Sequence, residues 1–472
     1  MTTRRDLFKL TALGLAGAGL GCTPAPPPLP MARLSARARD AFLDDVQRRA
    51  FRYFWDTTNP SNGLARDRFP TPSFASTAAV GFALTAYPIG VQRGFIGRHA
   101  AAARTLATLR FLARAPQGDA PTGMTGHQGF FYHFVDMERG RRFETTELST
   151  VDTALLLGGI LFAQGYFDRP GESEIRDLAD RIYARVDWRW SQARPPTVAL
   201  GWSPEKGHLP YDWIAYSEAM LVYVLALGSP THALGPDSWT AWSAGLPKHW
   251  TVEEGQQLIR FGPLFGHQYS HIWVDFRGIQ DAFTREKGID YFENSRRATL
   301  AQHAYAVRNP MGWTGYGPRL WGLTACDGPA DVTVDVAGRS RTFRTYSARG
   351  PGDFDDGTVA PTAVGGSVPF APELCIDALM AMRADHGDEL YQQYGFLDSL
   401  NPSLPPTVPL KHGRHVPARG WYDGDYLGID QGPILAMIEN HRSGLIWEVM
   451  RGNPHIRRGL QRAGFTGGWL AA

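Results

Sequence analysis

Three short acidic runs hold the side chains best suited to chemistry. They are Glu147-Leu-Ser-Thr-Val-Asp152, Tyr216-Ser-Glu218-Ala-Met220 and Trp421-Tyr-Asp423-Gly-Asp425-Tyr-Leu-Gly-Ile-Asp430. Carboxyl groups on two sides of a cleft suit acid–base hydrolysis of a glycosidic bond. One protonates the departing oxygen, and the other activates water or attacks the anomeric carbon. Glu218, Asp152, Glu147 and Asp425 are the candidates for that work.

Each has a plainer reading. Ser149-x-x-Asp152 is a capping-box signature, so Asp152 serves a helix start equally well. Glu147 precedes that cap and has no such explanation. Glu218 leads into an apolar helix, where a first-turn acid is common. It follows Tyr211, Trp213 and Tyr216 closely, and an acid among rings has its pKa raised toward the range of a general acid. In the third run Asp430 suits a cap for the helix opening near Pro433, while Asp425 has the weakest structural reason to be there. The run lacks the ligand pattern and terminal Glu of a calcium loop, so no metal is expected. Two more acidic loops are candidates for sugar contact. Asp353-Phe-Asp-Asp356-Gly-Thr358 has the composition of a turn, and Trp321-Gly-Leu-Thr-Ala-Cys-Asp327 sets an acid near a Trp.

A fourth stretch, Pro263 to Gly278, combines His267, Gln268, Tyr269, His271, Trp273, Asp275 and Arg277. It is too polar for a plain core helix and too aromatic for a solvated loop. A sugar offers an apolar ring face and a rim of hydroxyls, which such a mixture recognises. Core filling by the aromatics is the alternative.

Mostly helices must position these groups. Phe42, Val46, Ala50 and Phe54 recur at helical spacing. Helices are also predicted over 100–113, 150–167, 175–186, 216–227, 298–307, 373–383 and 433–451, with an apolar segment from Ser76 to Leu84. Phe130 to Phe134 reads as a strand or loop, and Val332 to Arg344 as a hairpin turning at Gly338. The pattern predicts an all-α fold. At roughly 35 residues per helix and loop, the body has the length of an (α/α)6 barrel with a small hairpin insertion. No composition shift divides residues 31–472, which read as a single domain with a cleft built from loops.

Composition narrows the partners. With 48 basic and 46 acidic residues the net charge is +2, which gives no general pull toward nucleic acid. Cys22, Cys326 and Cys375 show no zinc or redox spacing, and the last two read as buried free thiols. No phosphate loop, dinucleotide-binding glycine pattern, nucleophile elbow or zinc helix is present, so no cofactor is expected. Residues 1–30 read as an export segment. Thr3-Arg4-Arg5-Asp6-Leu7-Phe8-Lys9 is a twin-arginine pattern, and a short apolar run ends at Gly21-Cys22, where lipidation would attach the protein to a membrane. A Pro-rich tether follows. The expected location is the periplasm or a membrane anchor.

Longer motifs extend the reading. They include Phe51-Arg-Tyr-Phe-Trp55, Glu147 to Leu156, Ser217-Glu-Ala-Met220, Phe265 to Trp273, Gly288 to Arg297, Trp321 to Pro329, Asp356 to Thr362 and Tyr426 to Pro433. On these runs, from about Leu43 to Leu470, the chain resembles the glycoamylase-like family, which includes bacterial endo-β-1,2-glucanases. The resemblance implies an (α/α)6 barrel acting on a glycan, most readily β-1,2-glucan, with an inverting mechanism. It implies Glu218 as general acid, Asp152 and Glu147 across the cleft, and sugar contacts from Gln268, His271, Arg277, Tyr316 and Trp321. Other relatives are transglycosylating domains. Two further classes stay open. A polysaccharide lyase would use Tyr269 and His271, with Arg277, Arg296 and Arg297 neutralising a uronate. A glycan-binding lipoprotein would need only the aromatics and the tether.

Overall fold

A computed structural model describes residues 35–336 and 338–471. The twin-arginine run, Cys22 and the tether lie outside the described residues. Six helices are buried along nearly their whole length: Thr77–Gln92, Thr150–Tyr166, Met220–Gly228, Tyr269–Trp273, Pro361–Gly365 and Gly428–Arg442. Thr77–Gln92, Thr150–Tyr166 and Met220–Gly228 have almost no polar face, so each must be surrounded, whereas Gly428–Arg442 also buries Asp430, Gln431, Glu439 and Asn440. Others bury one stripe only. In Ser173–Ala184 the buried positions are Ile175, Leu178, Ala179, Ile182 and Tyr183, at helical spacing. Ala36–Thr57, Arg98–Arg114, Tyr291–Arg308, Pro372–His386 and Pro454–Arg462 are likewise part exposed.

Five of these helices form a closed succession of neighbours, and Pro361–Gly365 packs on Gly428–Arg442. Thr77–Gln92 packs on Thr150–Tyr166, which packs on Met220–Gly228. Tyr269–Trp273 touches Met220–Gly228 and Gly428–Arg442, and the latter returns to Thr77–Gln92. The first crossing is backbone against backbone. A Cβ on Gly159 would stand 2.0 Å from the Gly81 carbonyl oxygen, so only glycine permits the approach.

The predicted hairpin is present, with Val332 opposite Phe343 and Val336 opposite Arg339. The all-α expectation needs correction to a helix-rich fold carrying several small antiparallel sheets. The largest runs Gly126–His127, Phe130–Tyr132, Leu148–Ser149, Gly201–Ser203, Gly207–His208. These loops cover one another, and covered backbone must pair its N–H and C=O groups. Another pair joins distant segments, with Arg68 opposite Leu427 and Phe69 opposite Tyr426. The helix predicted from Tyr216 begins at Met220. The one predicted over 433–451 starts earlier, at Gly428, and is cut into Gly428–Arg442 and Leu445–Arg451 by Gly444 in the left-handed region. Both Cys326 and Cys375 are buried free thiols.

Candidate active site

Two acidic groups meet where the loops and helix starts converge. The first is built on the start of Thr150–Tyr166. Ser149 caps this helix by accepting from the Asp152 N–H at 3.2 Å. The capping box is incomplete, because Asp152 Oδ2 accepts from the Ser149 hydroxyl rather than from its N–H. Asp152 Oδ1 lies 3.6 Å from His133 Nε2, and His133 Nδ1 lies 2.9 Å from Glu147 Oε1. His133 comes from the sheet beside them. Burial alone would lower its pKa, but Asp152, Glu147 and Asp67 outweigh that and hold it at about 9. In turn, and against its own burial, Glu147 is held below its ordinary value by the His133 hydrogen bond and charge. Glu147 is therefore an ionised partner of His133.

Glu218 sits in the turn before Met220–Gly228. It is buried, and its Oε2 has no hydrogen-bond partner. Burial first, and the charge of Asp152 second, push its pKa up to about 7. Its carbonyl accepts from Ser270 Oγ at 2.7 Å, which ties the turn to the helix Tyr269–Trp273. Trp213 reaches from the same loop to the start of the Asp152 helix, where its Nε1 donates to Thr150 Oγ1 at 2.9 Å.

The second group surrounds Arg68. Its guanidinium meets Asp327 at 2.7 Å, Asp67 at 3.3 Å and Asp425 at 3.8 Å. Asp425 Oδ1 also accepts from the Thr71 N–H at 2.9 Å. Behind these acids lie Asp398, Asp423 and Asp430, all at most 2% exposed. Burial, reinforced by the neighbouring carboxylates, raises Asp398 and Asp423 well above the usual range. Burial likewise raises Asp430 to about 7, with the charges of Asp327 and Asp67 adding to it. Asp430 lies inside the first turn of its helix and caps nothing. Asp327, Asp398 and Asp423 offer oxygens within 4.8 Å of one another, a spacing that suits a cation. Asp327 Oδ2 is already engaged by Arg68. Asp398 Oδ1, Asp423 Oδ2 and the Asp430 oxygens face no protein N–H or hydroxyl donor. Buried acceptors of this kind are costly unless a donor arrives, and sugar hydroxyls are such donors.

Tyr269 connects the two groups. Its hydroxyl pKa is raised by burial and then by Asp430, Tyr346, Glu218 and Asp152.

Six expected sugar contacts lie elsewhere. Gln268 is 1% exposed and donates to Ala363 O and Ser367 Oγ, both at 2.8 Å, as a tie between buried helices. His271 is fully buried among Phe276, Phe292 and Phe370, with Nε2 3.0 Å from Ser295 Oγ. Burial pushes its pKa down to about 3, which leaves it neutral. Trp321 is fully buried, and Asp356 is fully buried against Arg349. Tyr316 gives its hydroxyl to Asp355 at 2.7 Å. Arg277 pairs with Asp275 and stacks on Trp447 at 4.1 Å, in a different neighbourhood from the acids. The lyase reading fails with these findings. His271 is closed off, and Arg296 and Arg297 both pair with Glu293.

Arg68, Asp67, His133, Asp398 and Tyr346 were not singled out from sequence. Arg66-Asp67-Arg68 is a charge alternation between Gly63 and Pro70, the one local signal that could have drawn attention.

Comparisons with known proteins bear on the chain as a whole. Residues 210–454 match the family described as "Putative glucoamylase". A putative glucoamylase from Bacteroides uniformis shares 31% identity, with 93% of this chain and all of that one covered and a TM-score of 0.78. An endo-β-1,2-glucanase from Chitinophaga pinensis, solved with sophorotriose and glucose, shares 27% identity, covers 92% and 99%, and has a TM-score of 0.75. An exo β-1,2-glucooligosaccharide sophorohydrolase from Parabacteroides distasonis is 28% identical over 90% of this chain, which spans 58% of that relative's length. Relatives named as β-1,2-glucan hydrolases cover most of this helix-rich chain, and the class they define is the glycoside hydrolases. Within that class, the chain belongs to the family matched by the glucoamylase model.

Proposed function

We propose that this enzyme hydrolyses β-1,2-linked glucan, with Glu218 as the general acid. The observation that carries the reading is the protonation of Glu218. Burial and the adjacent Asp152 keep it near half protonated at pH 7, as a proton donor to a departing sugar oxygen must be. The relatives named for β-1,2-glucan and its oligosaccharides supply the linkage.

In this reading Glu218 gives its proton to the glycosidic oxygen as the C–O bond breaks. Water attacks the anomeric carbon from the other side and passes a proton to Asp425. One bond is broken, one is formed, and the two carboxyl groups exchange protonation states. Asp425 is preferred as base because its carboxylate lies 3.8 Å from Arg68 and is oriented by the Thr71 N–H at 2.9 Å. Asp152 and Glu147, gathered around His133, act on Glu218 and on substrate orientation rather than on water. Space for a water between acid and base would give inversion. The closed succession of buried helices supports an (α/α)6 toroid as the frame, formed by residues 31–472 as one domain. The twin-arginine pattern and Cys22 support a place outside the cytoplasm.

Linear β-1,2-glucan incubated with the wild type and with Glu218→Gln, followed by product sizing, tests the reading. Short β-1,2-oligosaccharides from the wild type alone are expected. Equal activity in the variant removes Glu218 from the chemistry. Absence of products from the wild type, with cleavage of another glucan, overturns the linkage.

A further inference from the structure

We propose that Tyr346 is a sugar-stacking residue of this cleft, and that the buried Arg349–Asp356 pair holds it in place. The proposal rests on the glycoside-hydrolase reading above and extends it to a contact outside the acidic groups.

Tyr346 is 48% exposed, and its side chain makes no hydrogen bond or ring contact with any described residue. A single exposed aromatic is ordinary. Its surroundings are not. The hydroxyl pKa is raised by dense surroundings and then by Asp430, Asp398, Asp67 and Asp327, acids carried by four separate segments. Tyr269, opposite, is in turn affected by Tyr346. The strand pairing of Cys326 with Ser347 sets this half-exposed ring next to Asp327, whose carboxylate holds Arg68.

Its backbone is fixed with unusual completeness. Ser347 pairs with Cys326, so Tyr346 is placed beside Asp327. The Arg349 guanidinium is fully buried and ion-paired to Asp356 at 2.7 Å. It also donates to the carbonyls of Arg344, Thr345, Ser347 and Cys326 at 2.7 to 3.1 Å. Asp356 accepts from the Arg344 N–H, and Asp331 from the Thr345 N–H. Gly328 lies directly beneath, where a Cβ would fall 2.1 Å from the Arg344 carbonyl oxygen. Every residue flanking Tyr346 is thus held while its ring is left free. A rigidly mounted ring loses little entropy on packing against a sugar face, and its hydroxyl remains available for a hydrogen bond.

The test compares Tyr346→Ala and Tyr346→Phe with the parent, using linear β-1,2-glucooligosaccharides. Steady-state kinetics are measured in the active enzyme and calorimetric Kd in the Glu218→Gln background. Tyr346→Ala is expected to raise KM and Kd about tenfold while kcat changes by less than about threefold. Tyr346→Phe keeps the ring face and stays within about threefold of the parent in Kd. Thermal unfolding should change little in both, since the side chain makes no hydrogen bond or ring contact with a described residue. A Tyr346→Ala protein that binds as tightly as its parent overturns the proposal, and so does a fall in kcat and Tm at constant KM. If the wild type cleaves a different glucan, the linkage reading fails separately and the same comparison is decided on that glucan.

Discussion

Replacing Glu218 with Gln should lower activity and, at alkaline pH, raise stability. An ordinary Glu with a pKa of 4.5 is only about 0.3% protonated at pH 7, whereas a pKa of about 7 leaves about half of it protonated. The buried site therefore enriches the acid form more than a hundredfold. Gln cannot donate that proton, and the expected loss in kcat on an unactivated glucan is about 10²–10⁴-fold. Stability moves the other way. Between about pH 4.5 and 7 the folded state holds a proton that the unfolded chain has released, so stability falls as pH rises through this window. The full fall is on the order of 3 kcal/mol, at about 1.4 kcal/mol per pH unit. Below pH 4.5 both states are protonated and nothing is lost. Gln has no such titration. Urea unfolding at pH 4.5 and pH 8 should show the variant gaining on the wild type between the two, whatever fixed offset the amide introduces. A misfolded variant would lose both properties. A stability difference that does not change with pH would refute the raised pKa, and retained glucan cleavage would refute the role.

Asp152→Asn removes the charge that raises Glu218 and supports His133, so the alkaline limb of kcat/KM should move to lower pH; an unmoved limb would uncouple the two acids. Gly159→Ala forces a methyl onto the Gly81 carbonyl and should cost about 1–3 kcal/mol or more, read as a lower urea midpoint. Cys326 and Cys375 are buried with thiol pKa values raised by burial, so neither should be alkylated at pH 8 without denaturant, as peptide mass spectrometry would show.

The helices were legible where apolar residues ran without a polar face, as in Thr150–Tyr166, or recurred at helical spacing, as in Ser173–Ala184. Glu218 and Asp152 were singled out because each stands at the start of such a helix, and only the family resemblance set them in one cleft. Gln268, His271 and Trp321 misled because residue type says nothing about which side of a short helix or loop faces a cavity. Buried polar groups that tie helices together look, in one dimension, like groups that bind ligand. Asp327 and Asp425 were named singly, but Arg68 and the grouping around it were illegible for a different reason. Asp67, Asp327, Asp398 and Asp425 share no local spacing, and only tertiary pairing collects them. Tyr346 follows a hairpin whose sequence shows the turn but not what lies under it.

The pairing of Arg68 and Phe69 with Leu427 and Tyr426 also has a consequence for synthesis. Thr71 and Asp425, joined by a hydrogen bond, are 354 positions apart. At ordinary translation rates the ribosome needs about 20–70 s to cover that distance. Glu218, Asp152 and His133 have all emerged well before the strand that completes the Arg68 group. On the roles proposed above, a nascent chain carries its acid without its base, and the two meet only when the last buried helix closes against the first.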